Sequence, residues 1–194
     1  MPYTRSSRPS LFFILPLLST LALLVVMAQG CGSSAGIAGP AATPTQAPER
    51  YVARITALNH SGVSGSVDLQ VTGATLTVAI DITGLEPGRR HFQHVHGESG
   101  VPAACPTAAD ANASGVITLT EATTRIGPLA FDIQPYPQPD QHGALRWSRT
   151  FTLDSEEIRK TAPWTEHVVV FHGMTLNGAY DQLLPVACGP IQPA

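Results

Sequence analysis

The chain is 194 residues long, 43% hydrophobic, 13% charged and 6% aromatic, with a formal charge of −3. Its first thirty residues distort those totals, because Arg5 and Arg8 lead into an apolar run from Leu11 to Ala28 that ends at Gly30-Cys31, the layout of an export signal. Removing 30 residues from 194 leaves 164, with nine basic against fourteen acidic side chains and a net charge of −5, which excludes a polytopic membrane protein and argues against nucleic acid as a partner.

Ala28-Gln29-Gly30-Cys31 resembles a bacterial lipobox, in which the Cys31 sulfur carries a diacylglycerol and becomes the new N-terminus. Ordinary secretion with Cys31 as a bystander, or an uncleaved anchor helix, are the other readings. Lipidation of Cys31 would leave Cys105 and Cys188 as an even pair in an oxidising compartment. The expectation is therefore an extracytoplasmic lipoprotein whose membrane partner is reached through its N-terminal lipid: signal peptide 1–30, tether 31–49 and a folded domain over 50–194. The tether reads as flexible because Gly, Ser, Ala and Thr alternate with Pro40, Pro44 and Pro48, and its reach is roughly 25 Å.

From Tyr51 onward the apolar residues repeat every second position. Tyr51, Ala53, Ile55 and Ala57 alternate with Val52, Arg54, Thr56 and Leu58; Val67, Leu69 and Val71 alternate with polar neighbours; and after Thr72-Gly73 the residues Ala74, Leu76, Val78, Ile80 and Ile82 share one face. The turn Gly84-Leu85-Glu86-Pro87-Gly88 follows. Further strands are predicted at Phe92 to His96, Val116 to Leu119, Leu145 to Leu153 and His167 to His172, with one short helix near Asp154 to Lys160. Many short strands separated by turn residues imply an all-β sandwich or barrel.

On a strand, His94 and His96 point to one face about 7 Å apart along the chain, while His91 and Val95 point to the other. Two imidazoles can then converge on one ion. His172 closes the run His167-Val168-Val169-Val170-Phe171 and could supply a third. Three nitrogen ligands without thiolates suit copper, zinc, iron or nickel with an open position. Hydrogen bonding of these histidines to backbone at a sandwich edge is the alternative.

A second constellation is Asp110-Ala111-Asn112-Ala113-Ser114-Gly115-Val116-Ile117-Thr118-Leu119-Thr120-Glu121, which has the twelve-residue spacing of an EF-hand calcium loop. Asp110, Asn112 and Ser114 would bring side-chain oxygens, Val116 its carbonyl, Thr118 a water-mediated contact and Glu121 a bidentate carboxylate. Gly115 would make the sharp turn and Ile117 the buried anchor. With only two charged ligands the site would be weak, about 10⁻⁴ to 10⁻³ M. An Asx-rich turn opening a strand, with Glu121 solvated, fits the same residues. The loop holding Pro135, Pro137, Pro139, Asp140 and His142 is polar and placed so that it could cover a metal site.

The order of these motifs resembles the copper/zinc superoxide dismutase family. Gly84-Leu85-Glu86-Pro87-Gly88 followed by His91, His94 and His96, then Cys105, then Val169-Val170-Phe171-His172-Gly173, then Val186-Ala187-Cys188-Gly189-Pro190-Ile191, is similar to that family's sequence from its first turn to its C-terminal cysteine. The resemblance implies an eight-stranded Greek-key barrel, copper on His94, His96 and His172, a structural His91 beneath the site, and a Cys105–Cys188 disulfide. Two free thiols or a metal pair would suit an exported chain poorly. The chain also departs from the family: Ala111 stands where the metal-bridging His belongs, no His lies between His96 and His142, and Pro185 replaces the anion-attracting Arg. These departures imply no zinc and at most a copper-only dismutase of reduced efficiency. The competing expectation is a non-enzymatic, calcium-stabilised envelope domain whose histidines buffer copper or are relics.

Overall fold

A computed structural model describes residues 46–194; the leader, Cys31 and the first fifteen positions of the predicted tether lie outside the described residues. Three strands come first, β1 (Glu49–Ala57), β2 (Ser64–Thr72) and β3 (Thr75–Thr83), paired antiparallel in succession. Gly73 and Ala74 form the two-residue connection between β2 and β3, with Gly73 at a φ of 56° that favours glycine. Leu76, Val78, Ile80 and Ile82 of β3 are buried, on the face the period-two pattern assigns them.

The later elements are β4 (Phe92–His96), helix α1 (Leu119–Ile126), β5 (Leu129–Asp132), β6 (Leu145–Thr152), helix α2 (Ser155–Thr161), β7 (Val168–Leu176) and β8 (Ala179–Pro193). The strand order is β5-β4-β7-β8-β1-β2-β3-β6, with every neighbouring pair antiparallel. The last strand thus lies beside the first, as in the Greek-key arrangement that the family resemblance implies; the strand pattern alone implies only a sandwich or barrel. Side chains from all eight strands join one buried cluster, so the sheet curls around its core. Its two edge strands face each other through Phe131 of β5 and Phe151 of β6, whose rings meet edge to face at 5.1 Å.

β7 is buried on both faces. Val169 and Phe171 enter the main core, while Val168 and Val170 join a smaller cluster with Leu58, Ile117, Ala122, Ile126 and Cys188 beneath the long connection from β4 to β5. That two-sided burial explains the unbroken run Val168-Val169-Val170-Phe171, which a strand with one wet face would not carry. The Cys105–Cys188 disulfide, with a Cα separation of 5.7 Å, ties the long connection to β8. Asn59 adds a polar staple: its amide nitrogen donates to the Ile117 and Pro185 carbonyls, and its amide oxygen accepts from the Ile117 N–H, each at 2.8 Å.

Two expectations about this region are corrected. No strand occupies Val116 to Leu119; instead Thr118 precedes α1, and the Glu121 carboxylate accepts from the Thr118 N–H at 3.0 Å. Thr-x-x-Glu is a helix-start signature, and it outweighs the β-branched residues before it. The helix near Asp154 is present, capped by Asp154 Oδ1 accepting from the Glu156 and Glu157 N–H groups, but it is accompanied by α1. Leu129–Asp132 was too short, and β8 too interrupted by Pro185 and Pro190, for periodicity to single them out.

Candidate metal centre

β4 and β7 pair in the register His94↔Val170 and His96↔Val168, with Phe92 opposite His172. Gln93 and Val95 of β4 face inward and are fully buried, which turns His94 and His96 to the other face. A register shift after Phe171 and the left-handed φ of 110° at Gly173 accompany the placement of His172 on that same side. A Cβ at Gly173 would also meet the Tyr180 hydroxyl, so that side chain would have to shift to admit one.

The three rings converge. Centroids lie 5.6 Å apart for His94 and His96, 5.0 Å for His94 and His172, and 5.7 Å for His96 and His172, and one nitrogen from each falls within 4.8 Å of the others. His96 Nδ1 donates to the Gly127 carbonyl at 3.1 Å, and His172 Nδ1 donates to the Leu183 carbonyl at 3.0 Å. Each of these bonds fixes the tautomer and leaves Nε2 as a bare acceptor. Both Nε2 atoms are buried without any partner. A buried polar atom ordinarily finds a hydrogen bond, so two orphans in one cluster point to a group that satisfies both.

Charge tells the same way. Burial pushes the His172 imidazole down to about 3 and His96 down to about 4, each opposed by its backbone hydrogen bond and aided by neighbouring histidines. His94 is also lowered by burial, partly offset by the Asp132 carboxylate. All three rings are therefore neutral at pH 7, the state in which imidazole ligates a metal.

His91 lies on the opposite face and is 1% exposed. Its Nδ1 sits 3.2 Å from the His172 carbonyl and its Nε2 3.1 Å from the Glu86 carbonyl, so it braces β7 against the turn before β4. His167 is likewise buried among the carbonyls of Pro163 and Lys160, away from the cluster.

The residues of the twelve-residue loop are placed differently. Gly115 is left-handed at a φ of 74°, Ile117 is buried, and a helix begins at Leu119, all as a calcium loop requires. The oxygens, however, have local uses. Asp110 Oδ2 accepts from the Thr107 N–H and hydroxyl and lies 3.8 Å from Arg125; Asn112 Oδ1 accepts from the Ser114 and Val116 N–H groups; the Val116 carbonyl accepts from the Asn112 N–H; and Glu121 bonds Thr118.

Two further side chains at the histidine cluster carried no motif. Asp132 pairs with His94 across β4 and β5, and its Oδ1 lies 3.5 Å from His94 Nε2. The Tyr136 hydroxyl donates to Asp132 Oδ1 and stands 3.5 Å from the same Nε2, while its ring packs on Phe92 at 4.7 Å. Tyr136 belongs to the proline-rich loop expected near a metal site, and it brings that loop against His94. The cross-strand register that identifies Asp132 cannot be read before the pairing of β4 with β5 is known.

No family model matches the chain, and no curated protein matches it in sequence. Among solved structures it is similar to Candida albicans superoxide dismutase 5 in its Cu(II) form, with 12% identity, a TM-score of 0.47, and coverage of 76% of this chain and 94% of that one. A glutamate-to-alanine mutant of the same protein gives 12% identity, a TM-score of 0.48, and coverage of 76% of this chain and 91% of that one. For an aspartate-to-asparagine mutant the values are 13%, 0.43, 75% and 92%.

Proposed function

We propose that this domain is an exported copper-binding protein of the superoxide dismutase type, holding copper through His94, His96 and His172 and no zinc. The observation that carries the reading is the pair of buried, unpartnered Nε2 atoms on His96 and His172 with the His94 ring beside them. Bound copper would supply one-electron exchange with a small oxidant or reductant. Burial keeps the ligands neutral and the chain's own residues orient them: Gly127 and Leu183 fix the tautomers through their carbonyls, β4 and β7 the positions through their register. Three imidazoles accept several metals, and the resemblance of the motifs from Gly84 to Ile191 to the copper/zinc superoxide dismutase family supports copper among them.

Dismutation by this site is slow for a reason of charge. Superoxide is an anion, Pro185 stands in place of a guiding guanidinium, and Asp132 sets a carboxylate beside His94. The Cys105–Cys188 disulfide and the N-terminal leader support an extracytoplasmic site of action, with Cys31 as the lipid anchor and the tether letting the domain stand off the membrane.

Elemental analysis after loading with copper and zinc together tests the metal. The expected result is about one copper per chain, an axial Cu(II) spin-resonance spectrum with nitrogen splitting, and loss of both in His172→Gln. Zinc in the site, or copper retained by His172→Gln and by His94→Gln alike, overturns the reading.

A second reading is favoured by the left-handed Gly115, the buried Ile117 and the helix that starts at Leu119: weak calcium binding by Asp110, Asn112, Ser114, Val116, Thr118 and Glu121, which would brace the long connection. It would require Asp110 and Glu121 to leave their present partners.

A further inference from the structure

His94 is held differently from its two companions. His96 and His172 rest their Nδ1–H groups on backbone carbonyls, which are fixed by the fold and carry no formal charge. His94 instead turns Nε2 toward two side chains, Asp132 and Tyr136. Its side chain is 13% exposed, and side chains rather than a backbone carbonyl face its ring nitrogen. A ring free to turn about its last torsion would present carbon as often as nitrogen to the ion.

The surroundings prevent that. Asp132 ends edge strand β5 directly opposite His94, which fixes its backbone on the same face. The Tyr136 hydroxyl spends its proton on Asp132 Oδ1, which aims the carboxylate, and Tyr136 is aimed in turn by its ring against Phe92. Phe92 also lies 5.8 Å from the His94 ring, closing the third side of the cradle.

We propose that Asp132 and Tyr136 act as a carboxylate–phenol clamp on the distal edge of His94, fixing Nε2–H outward and Nδ1 toward the metal, and that they make this ligand the electron-rich member of the three. The inference rests on the copper reading above. A carboxylate behind a histidine ligand fixes its tautomer and raises its basicity, and loss of such a partner typically lowers metal affinity by roughly 10- to 100-fold. A more basic imidazole favours Cu(II) over Cu(I). Asp132 and Tyr136 are positioning residues, since neither donates an atom to the ion.

The test uses the disulfide-intact domain and compares wild type, Asp132→Asn and Tyr136→Phe. Cu(II) and Cu(I) affinities are measured separately by competition with chelators, together with the Cu(II) spin-resonance spectrum and the reduction potential. Asp132→Asn is expected to lose roughly 10- to 100-fold in Cu(II) affinity, less in Cu(I) affinity, and so to shift to a higher potential with an altered hyperfine splitting. Tyr136→Phe keeps the ring on Phe92 and should show a smaller change in the same direction. Wild-type protein that binds no copper removes the copper reading itself. Wild-type protein that binds copper, with both variants matching it in affinities, potential and spectrum, overturns the clamp and leaves the copper site standing. Equal losses for Cu(II) and Cu(I) with an unchanged spectrum also overturn it, because they would mark a structural effect only.

Discussion

Acidification of the metal-free domain should destabilise it through His96 and His172. In the unfolded chain each ring titrates near 6.5, whereas burial holds them down to about 4 and about 3 in the folded domain. As pH falls below about 6.5 the unfolded chain takes up protons that the folded domain refuses, so stability is complete above that point and is lost as pH falls toward the two folded values. Each ring then removes about 1.4 kcal/mol per pH unit, and at pH 5 the pair has removed about 4 kcal/mol. With a urea slope of about 2 kcal/mol/M, the unfolding midpoint should drop by about 2 M between pH 7 and pH 5. The assay is urea unfolding of chelator-treated protein at several pH values, followed in parallel for His172→Gln. The variant starts from a different stability, but its dependence on pH should be shallower by about half of the pair's share, about 2 kcal/mol over the same interval. Identical pH dependence in wild type and variant would refute the assignment of a neutral, buried His172 with an unpartnered Nε2.

Two further outcomes follow from the long connection between β4 and β5. The disulfide links residues 83 apart in sequence, and in the chain-entropy view such a closure is worth about 4.5 kcal/mol, so Cys105→Ser with Cys188→Ser should lower unfolding free energy by about that amount; a loss below about 1 kcal/mol would show that the connection is organised without it. If the twelve-residue loop binds calcium, millimolar calcium should raise the melting temperature of wild type and not of Glu121→Gln, whereas calcium-independent melting in both assigns Glu121 to the start of α1 alone.

The histidines were legible because a strand alternates its faces. Phe92 to His96 reads as a strand, which places His94 and His96 together and turns His91 to the core, and the structure keeps that division. Thr118 and Glu121 were ambiguous for an equally local reason, since one four-residue spacing serves both a calcium loop and a helix cap. Neither helix α1 nor β5 could be separated from its surroundings by pattern, because eight and four residues offer too few periods.

The sequence by itself determined the strand period, the inward faces, the turns at Gly73 and Gly84–Gly88, and which imidazoles could share a side of β4. Only the tertiary structure decided that β7 would lie against β4 and carry His172 to them, that the carbonyls of Gly127 and Leu183 would take the Nδ1 protons, and that Asp132 and Tyr136 would stand behind His94. The physical reason is distance along the chain. Alternation is a property of neighbours and can be read from them, whereas a convergent site joins residues dozens of positions apart, and the register of paired strands that joins them is set by the packing of the whole core.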